Sequence, residues 1–550
     1  PVMHFGFGDE SQLDSLLVLF ADGSSIKKRN VQLNKAMQFN IAEAKKQPYS
    51  VYQFDKRVFE DYSAALGIKI THRENLFDDF EREILLPHKQ SDIGPALAIA
   101  DVNGDGLDDF FIGGAKGESG IFFMQNAQGR FTLGQPLAGS NYEDVDAAFF
   151  DADGDGDQDL VVASGGYESS DWKDYKHRLY LNDGSGAFVM ASDKQFPFSG
   201  SNAGALQIWD VDQDGDLDVF IGGHVLPGLY PKHAKSYLYL NQGDNFTLKE
   251  VDAAAFGMGP ISALSTSDID GDGKDELLAC GEWTAPAVVY YKENKLQAHP
   301  AGEQFKDLSG WWQSIDASDL NGDGVPDIVL GNIGDNNKFH VDEEHPLKIY
   351  GHDFDGNGTN DVVLSKKYKG GFVPVRGREC SSEQMPFVKE KFVDYQSFSE
   401  ASIEEVLGDE MKDAVFYEVR EFSSGVLMSN GSSWSFEPFG VHAQLSAVRS
   451  TLCADFSGDG FRDVLLAGNL FGAEVETTRH DASNGLFLAS DGKGGFDQRR
   501  FLDSGFYAPG NVRELGVLMN TAIGRPIVLV VSNDGPMMAY VAPGIQQVNP

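Results

Sequence analysis

The residues from Asp151 to Asp159, Asp-Ala-Asp-Gly-Asp-Gly-Asp-Gln-Asp, put carboxylates at the odd positions of a nine-residue stretch that also holds two glycines. Like charges this dense in one turn repel one another unless a cation sits among them, and ligands that are all oxygen select a hard cation such as Ca²⁺. The pattern returns from Asp101 to Asp109, Asp210 to Asp218, Asp268 to Glu276, Asp319 to Asp327, Asp353 to Asp361 and Asp455 to Asp463. Side chains at positions 1, 3, 5 and 9 are expected to face the ion, with the position-7 carbonyl and a water completing six or seven oxygens. Gly at position 6 gives the bend its backbone freedom. The expected ligands are Asp101, Asn103, Asp105 and Asp109; Asp151, Asp153, Asp155 and Asp159; Asp210, Asp212, Asp214 and Asp218; Asp268, Asp270, Asp272 and Glu276; Asp319, Asn321, Asp323 and Asp327; Asp353, Asp355, Asn357 and Asp361; Asp455, Ser457, Asp459 and Asp463. Up to seven Ca²⁺ follow, weaker where Asn103, Asn321 or Ser457 replaces a carboxylate, and with altered geometry at Glu276.

An EF-hand loop opens in the same way but requires a Glu at position 12 and flanking helices. Position 12 is instead Ile112, Val162, Ile221, Ala279, Leu330, Leu364 or Leu466. The loops are followed by short apolar, β-rich runs such as Leu160-Val-Val-Ala163 and Val219-Phe-Ile-Gly-Gly223, which read as buried strands. Each loop therefore joins two strands. About twenty residues further on, an aromatic strand enters a polar turn and ends on Phe, as in Leu179-Tyr-Leu-Asn-Asp-Gly-Ser-Gly-Ala-Phe188 and Leu238-Tyr-Leu-Asn-Gln-Gly-Asp-Asn-Phe246, a hairpin signature. Two hairpins per repeat give four strands.

A period of about fifty to sixty residues suits a four-stranded propeller blade. The loop at Asp353 follows too soon to begin another and is assigned to the outer hairpin of the Asp319 repeat, after Leu347-Lys-Ile-Tyr350. A loop-less unit with Ile527-Val-Leu-Val-Val531 and Met537-Met-Ala-Tyr540 ends the array. The expectation is an all-β, seven-bladed β-propeller, with six or eight blades open as alternatives.

These loops and hairpins resemble FG-GAP or VCBS repeats, the calcium-loop blades also found in integrin α-chain propellers. His4-Phe-Gly-Phe-Gly8 with Asp14-Ser-Leu-Leu-Val-Leu-Phe-Ala-Asp-Gly23 resembles the ASPIC/UnbV module of the cartilage acidic protein family. In that family the module follows a propeller, so the resemblance implies the back half of a longer protein. It is similar to large exported VCBS-repeat proteins of Bacteroidota, which implies an extracellular or outer-membrane location on a Gram-negative cell.

A formal charge of −40, of which seven Ca²⁺ would offset about fourteen, argues against nucleic acid or an anionic membrane surface as partner. There is no basic stripe and no RNA-reading motif. Cys280, Cys380 and Cys453 are the three cysteines. Their spacing fits no metal site or disulfide framework, and Cys280 and Cys453 read as small buried hydrophobes. No stretch has the roughly eighteen apolar residues that span a bilayer, and no signal peptide or lipidation Cys stands at the start.

Residues 1–45 are read as a small β module, 46–90 as a connecting segment and 91–545 as the propeller. Within it, 380–447 form a partly helical insertion, with helix-like spacing at Met385 to Phe398 and Ile403 to Leu407 and Ser402 or Ser399 as a cap. The insertion reads either as functional or as a packing flap.

Connections after the second strands should converge on one face of a propeller. His224, Tyr230, Glu282, Trp283, Trp311, Asn332, Asn336, Glu476, Arg479, His480 and Asp481 would then ring one mouth, suited to a sugar or peptide. Alternatively the Trp residues pack between blades and Arg479 pairs with a nearby carboxylate. No Gly-x-Ser-x-Gly elbow, phosphate loop or His-Glu-x-x-His zinc helix is present, so no catalytic residue is assigned. The expected function is a calcium-stabilised cell-surface module that binds or scaffolds a protein or glycan. The alternatives are a carbohydrate-active lyase or hydrolase and a structural part of an outer-membrane assembly.

Overall fold

The computed structural model describes residues 12–20, 24–46, 57–243, 245–431, 433–520 and 522–542, and it divides into two units, Pro1–Arg57 and Val58–Pro550. In the first, strands Gln12–Leu19, Ser24–Gln32 and Lys45–Lys46 form an antiparallel sheet in that order. The His4 to Gly8 part of the proposed module lies outside the described residues.

The second unit begins earlier than the sequence reading placed its start, because residues of the supposed connecting segment complete its last sheet. It is built from antiparallel sheets of four strands, one of which gains a fifth, Gly310–Trp311, paired with its second strand, Glu276–Thr284. Seven of them, here I to VII, begin with strands Leu97–Ala100, Glu143–Phe150, Ala203–Trp209, Ile261–Ser267, Ser314–Ser318, Ser450–Ala454 and Asn511–Asn520. Each first strand packs against the first strand of the next sheet, and that of sheet VII packs against that of sheet I. Sheet VII takes its fourth strand, Glu60–Asp61, from the opposite end of the unit, pairing it with Met538–Val541. Phe59, just before it, is buried among Phe456, Phe487 and Phe506, with ring centroids 5.3–5.6 Å apart.

Aromatic and branched residues fill the space between neighbouring sheets. Sheets VII and I share Leu518, Ile527 and Leu529 with Phe110 and Phe123; sheets I and II share Phe111 and Phe122 with Leu160 and Tyr180. Corresponding clusters join II to III, III to IV, IV to V, V to VI and VI to VII. Burying one such side chain is worth about 1.5–3 kcal/mol, so cohesion is distributed around the whole circuit.

Two sequence readings need correction. The Asp353 loop does not belong to the outer hairpin of sheet V. It joins Leu347–His352 to Asp361–Tyr368 inside an eighth four-stranded sheet, with Gly371–Pro374 and Val415–Val419 at its edges. The insertion accordingly lies between the second strand of sheet V, Asp327–Gly331, and its third, Gly425–Ser429, not over 380–447. Residues Gly425–Ser429 and Trp434–Pro438 are the outer hairpin of sheet V, separated from their loop by the inserted sheet. Its helices, Arg378–Gln384, Phe387–Lys391, Tyr395–Ser399 and Ile403–Leu407, are short. They pack Met385, Val388, Phe398 and Ile403 against Tyr350 and Val363 of that sheet. Ser402 is the cap of the last, in a reciprocal capping box with Glu405.

Candidate metal centres and a plugged mouth

The seven loops close seven hairpins in one register. The residue before position 1 pairs with position 9: Ala100 with Asp109, Phe150 with Asp159, Trp209 with Asp218, Ser267 with Glu276, Ser318 with Asp327, His352 with Asp361 and Ala454 with Asp463. Six of these hairpins join the first and second strands of sheets I to VI, and so lie at the same end of their sheets. Position 6 is a left-handed glycine throughout, as at Gly156 (φ 93°) and Gly460 (φ 92°). The position-1 carboxylate folds the loop over itself: in the Asp151 loop it accepts the N–H of Gly154 at 2.8 Å and of Gly156 at 3.0 Å.

Position 9 does something the sequence did not reveal. Asp159 is fully buried, and its Oδ2 accepts the Ala152 N–H (2.9 Å) while Oδ1 accepts the Asn182 N–H from the third strand (2.8 Å). Asp218 repeats this with Val211 (2.9 Å) and Asn241 (2.7 Å), and Asp327 with Leu320 (2.8 Å) and Ser429 (2.6 Å). Burial pushes these acids up, to about 6 for Asp109, Asp159 and Asp327 and about 7 for Asp218, Glu276 and Asp361; the other loop carboxylates add to the rise, and the backbone N–H groups partly offset it.

Asn182 and Asn241, read from sequence as turn residues after Leu-Tyr-Leu, also tie neighbouring sheets together. Asn182 Nδ2 donates to the Gln158 carbonyl of its own loop (3.0 Å) and to the Val102 carbonyl of the preceding loop (2.7 Å). Asn241 Nδ2 reaches Leu217 (3.2 Å) and Ala152 (3.0 Å) in the same way. The repetition of Leu-Tyr-Leu-Asn was the available signal.

Acidic side chains converge closely in four loops. Asp151, Asp153 and Asp159; Asp210, Asp212 and Asp218; Asp268, Asp270 and Asp272; and Asp353, Asp355 and Asp361 each bring ligand oxygens within 4.8 Å of one another. All-oxygen, carboxylate-rich sets at this spacing fit Ca²⁺. The other three loops carry Asn103, Asn321 or Ser457 at position 3. There Asn321 Nδ2 donates to Asp327 Oδ1 (3.1 Å) and to the Ser429 carbonyl (2.9 Å), so its amide draws the loop together by hydrogen bonding. His299 approaches the Asp268 loop, 3.3 Å from Asp270. Its Nδ1 lies 3.2 Å from the Ala301 N, and with Asp270 and Glu276 His299 offers a further set of ligand atoms within 4.8 Å of one another.

The residues expected to ring an open mouth are placed differently. His224, Tyr230, Glu282, Trp283 and Trp311 do come together, but all are buried, under residues 83–90 of the segment read as a connection. Glu282 sits 2.9 Å from His88 Nε2 and accepts the Tyr230 hydroxyl at 2.8 Å; Tyr230 in turn accepts Trp283 Nε1–H at 2.6 Å. His224 lies 3.0 Å from Gln90. Burial would raise Glu282, but His88 and the hydrogen bonds hold it down at about 2; burial lowers His88, and Glu282 more than reverses this. Trp283 and Trp311 stack edge to face at 4.7 Å, so they are packing residues and not a platform. Asn332 is buried and donates to the Glu421 carbonyl (3.0 Å), and Asn336 donates to that of Leu445 (3.0 Å). Glu476 pairs with Arg376 (2.8 Å) and Arg479 with Asp481 (3.4 Å), while His480 is buried. The sequence hid the plug because its residues come from a segment outside the repeats.

Beneath the plug lies a polar cavity of about 420 Å³ along the first strands, lined in part by Asp146, Gln207, Arg449, Arg513 and Glu514. Asp146 is raised to about 7 by burial, with hydrogen bonds from Leu206 and Ala147 opposing.

Residues 101–162, 210–279 and 268–330 each match the profile of the FG-GAP-like repeat. No curated protein matches the chain. Among solved structures it is similar to the crystal structure of the V. cholerae biofilm matrix protein Bap1, at 12% identity over 88% of this chain and 91% of that one, with a TM-score of 0.32. That likeness is too distant to bear on fold or function.

Proposed function

We propose that Val58–Pro550 is a calcium-stabilised, seven-bladed propeller acting as a non-catalytic binding or scaffold module for a protein or glycan outside the cell. The convergence of acidic oxygens in four repeated loops carries this reading. The circuit of first strands, with a shared core at every junction, supports the radial arrangement. Millimolar extracellular Ca²⁺ suits loops of modest affinity. Among the described residues no helix is long and apolar enough to cross a membrane.

The plug leaves contact to residues still exposed at its end of the unit. Arg479 and Asp481, exposed and paired with one another, and exposed Asn336 and Glu476 are the proposed contact residues. Glycan-array and surface-protein capture with the wild type and with Arg479→Ala/Asp481→Ala tests this. A ligand whose binding needs Ca²⁺ and is lost in the double variant supports the reading; binding indifferent to both changes would remove this surface from it.

A further inference from the structure

Glu143 opens the first strand of sheet II, at the end away from the calcium loops, and is 2% exposed. Neither of its carboxylate oxygens meets a hydrogen-bond donor. Glu168 faces it from the turn that leaves the second strand of the same sheet. A methyl group on Gly166 would stand 2.5 Å from Glu168 Oε2 and 2.6 Å from Glu143 Oε2, so one oxygen of each carboxylate packs against the same glycine. Glu168 Oε2 accepts the Tyr167 N–H (2.9 Å), while its Oε1 is buried without a partner.

Two more acids approach from the N-terminal segment. Glu74 accepts Asn533 Nδ2–H at 2.7 Å, and Asn533 also donates to the Gly94 carbonyl (2.8 Å). Asp92 is 7% exposed, with Oδ1 unpartnered. The charges that act most strongly on Glu143 are those of Glu168, Glu74 and Asp92, all negative. Carboxylates withdrawn from water in this way must share protons or hold a cation.

We propose that Glu143 and Glu168 hold a Ca²⁺ ion, with Glu74 and Asp92 supplying further negative charge, at a site separate from the repeated loops. An oxygen-only set selects a hard cation; Glu143 brings two unpartnered oxygens and Glu168 one, its Oε1. The ion would fasten the segment leading into and out of the plug, which carries Glu74 and Asp92, to sheet II, and through Asn533 to sheet VII. This inference does not depend on the loops binding metal.

Crystals of the full chain grown in CaCl₂ and measured near the long-wavelength calcium signal give the direct test. The expected map has a peak about 2.3–2.6 Å from oxygens of Glu143 and Glu168. Peaks at the loops with none here would overturn this proposal and leave the loop reading intact; a peak here with none at the loops would do the reverse. In solution, Glu143→Gln should shrink the calcium-dependent rise in Tm relative to the wild type. An equal rise, or a variant more stable than the wild type in saturating Ca²⁺, would mean that the acids share a proton instead. Should that variant not fold, the wild-type map still decides.

Discussion

Within one loop the acids have two different jobs, and substitution separates them. Asp153 is exposed, shares a close set of oxygens with Asp151 and Asp159 and has hydrogen bonds only within its own loop, to Asp155, whereas buried Asp159 satisfies two backbone N–H groups, one of them on the third strand. Asp153→Ala should reduce stability only when Ca²⁺ is present. Asp159→Ala should cost about 1–3 kcal/mol even in chelator, because donors are stranded; denaturant titration with and without EDTA reads both. The raised position-9 acids also set a pH dependence. In the calcium-free protein their folded pKa values of about 6 to 7 exceed the ordinary carboxylate value, so the folded state holds the proton more tightly and stability should fall as pH rises between those values. With Ca²⁺ bound the acids are ionised, and protons compete with the ion. The Tm difference between calcium and EDTA should therefore be larger at pH 8 than at pH 5.5; a difference independent of pH would contradict this. At the plug, Glu282→Gln leaves buried His88 without its counter-charge and should cost about 3–5 kcal/mol, read as a lower denaturant midpoint. The ligand types and the position-6 glycines could be read from the sequence because local spacing determines them. The plug could not, since His88 and Gln90 meet Glu282 and His224 only through the fold.

At the scale of the element, the repeat works because each hairpin carries its own clamp and a link to its neighbour. Asn182 is that link between sheets I and II. Asn182→Ala should lower stability by about 1–3 kcal/mol through unsatisfied carbonyls, with the loss present in EDTA as well as in calcium. If thermal unfolding is unchanged, the inter-loop bridge contributes nothing. Strand pairs and turns in sheets I to IV follow from alternation, Gly-rich turns and the loop spacing, all local signals. Sheet V was misread because an inserted sheet and four short helices separate its two hairpins. Gly425-Val-Leu-Met-Ser429 therefore had no loop about twenty residues before it to identify it as a third strand. The strand Glu60–Asp61 is too short to carry any pattern and is defined only by its partner, Met538–Val541.

Across the whole molecule, seven sheets bury their cores against one another while the chain bears a formal charge of −40. Self-repulsion at that charge opposes compaction, and ions that bind only the folded loops counter it by linkage. The central claim is thus thermodynamic: calcium in the repeated loops stabilises the ring. Calorimetric melting of the full chain, alongside the count of calcium bound after equilibrium dialysis, tests it most directly. The account predicts at least four bound ions, from the four close acidic sets, and a Tm many degrees higher in calcium than in EDTA. Fewer than one bound ion per chain, with superimposable melting curves in calcium and EDTA, would contradict it.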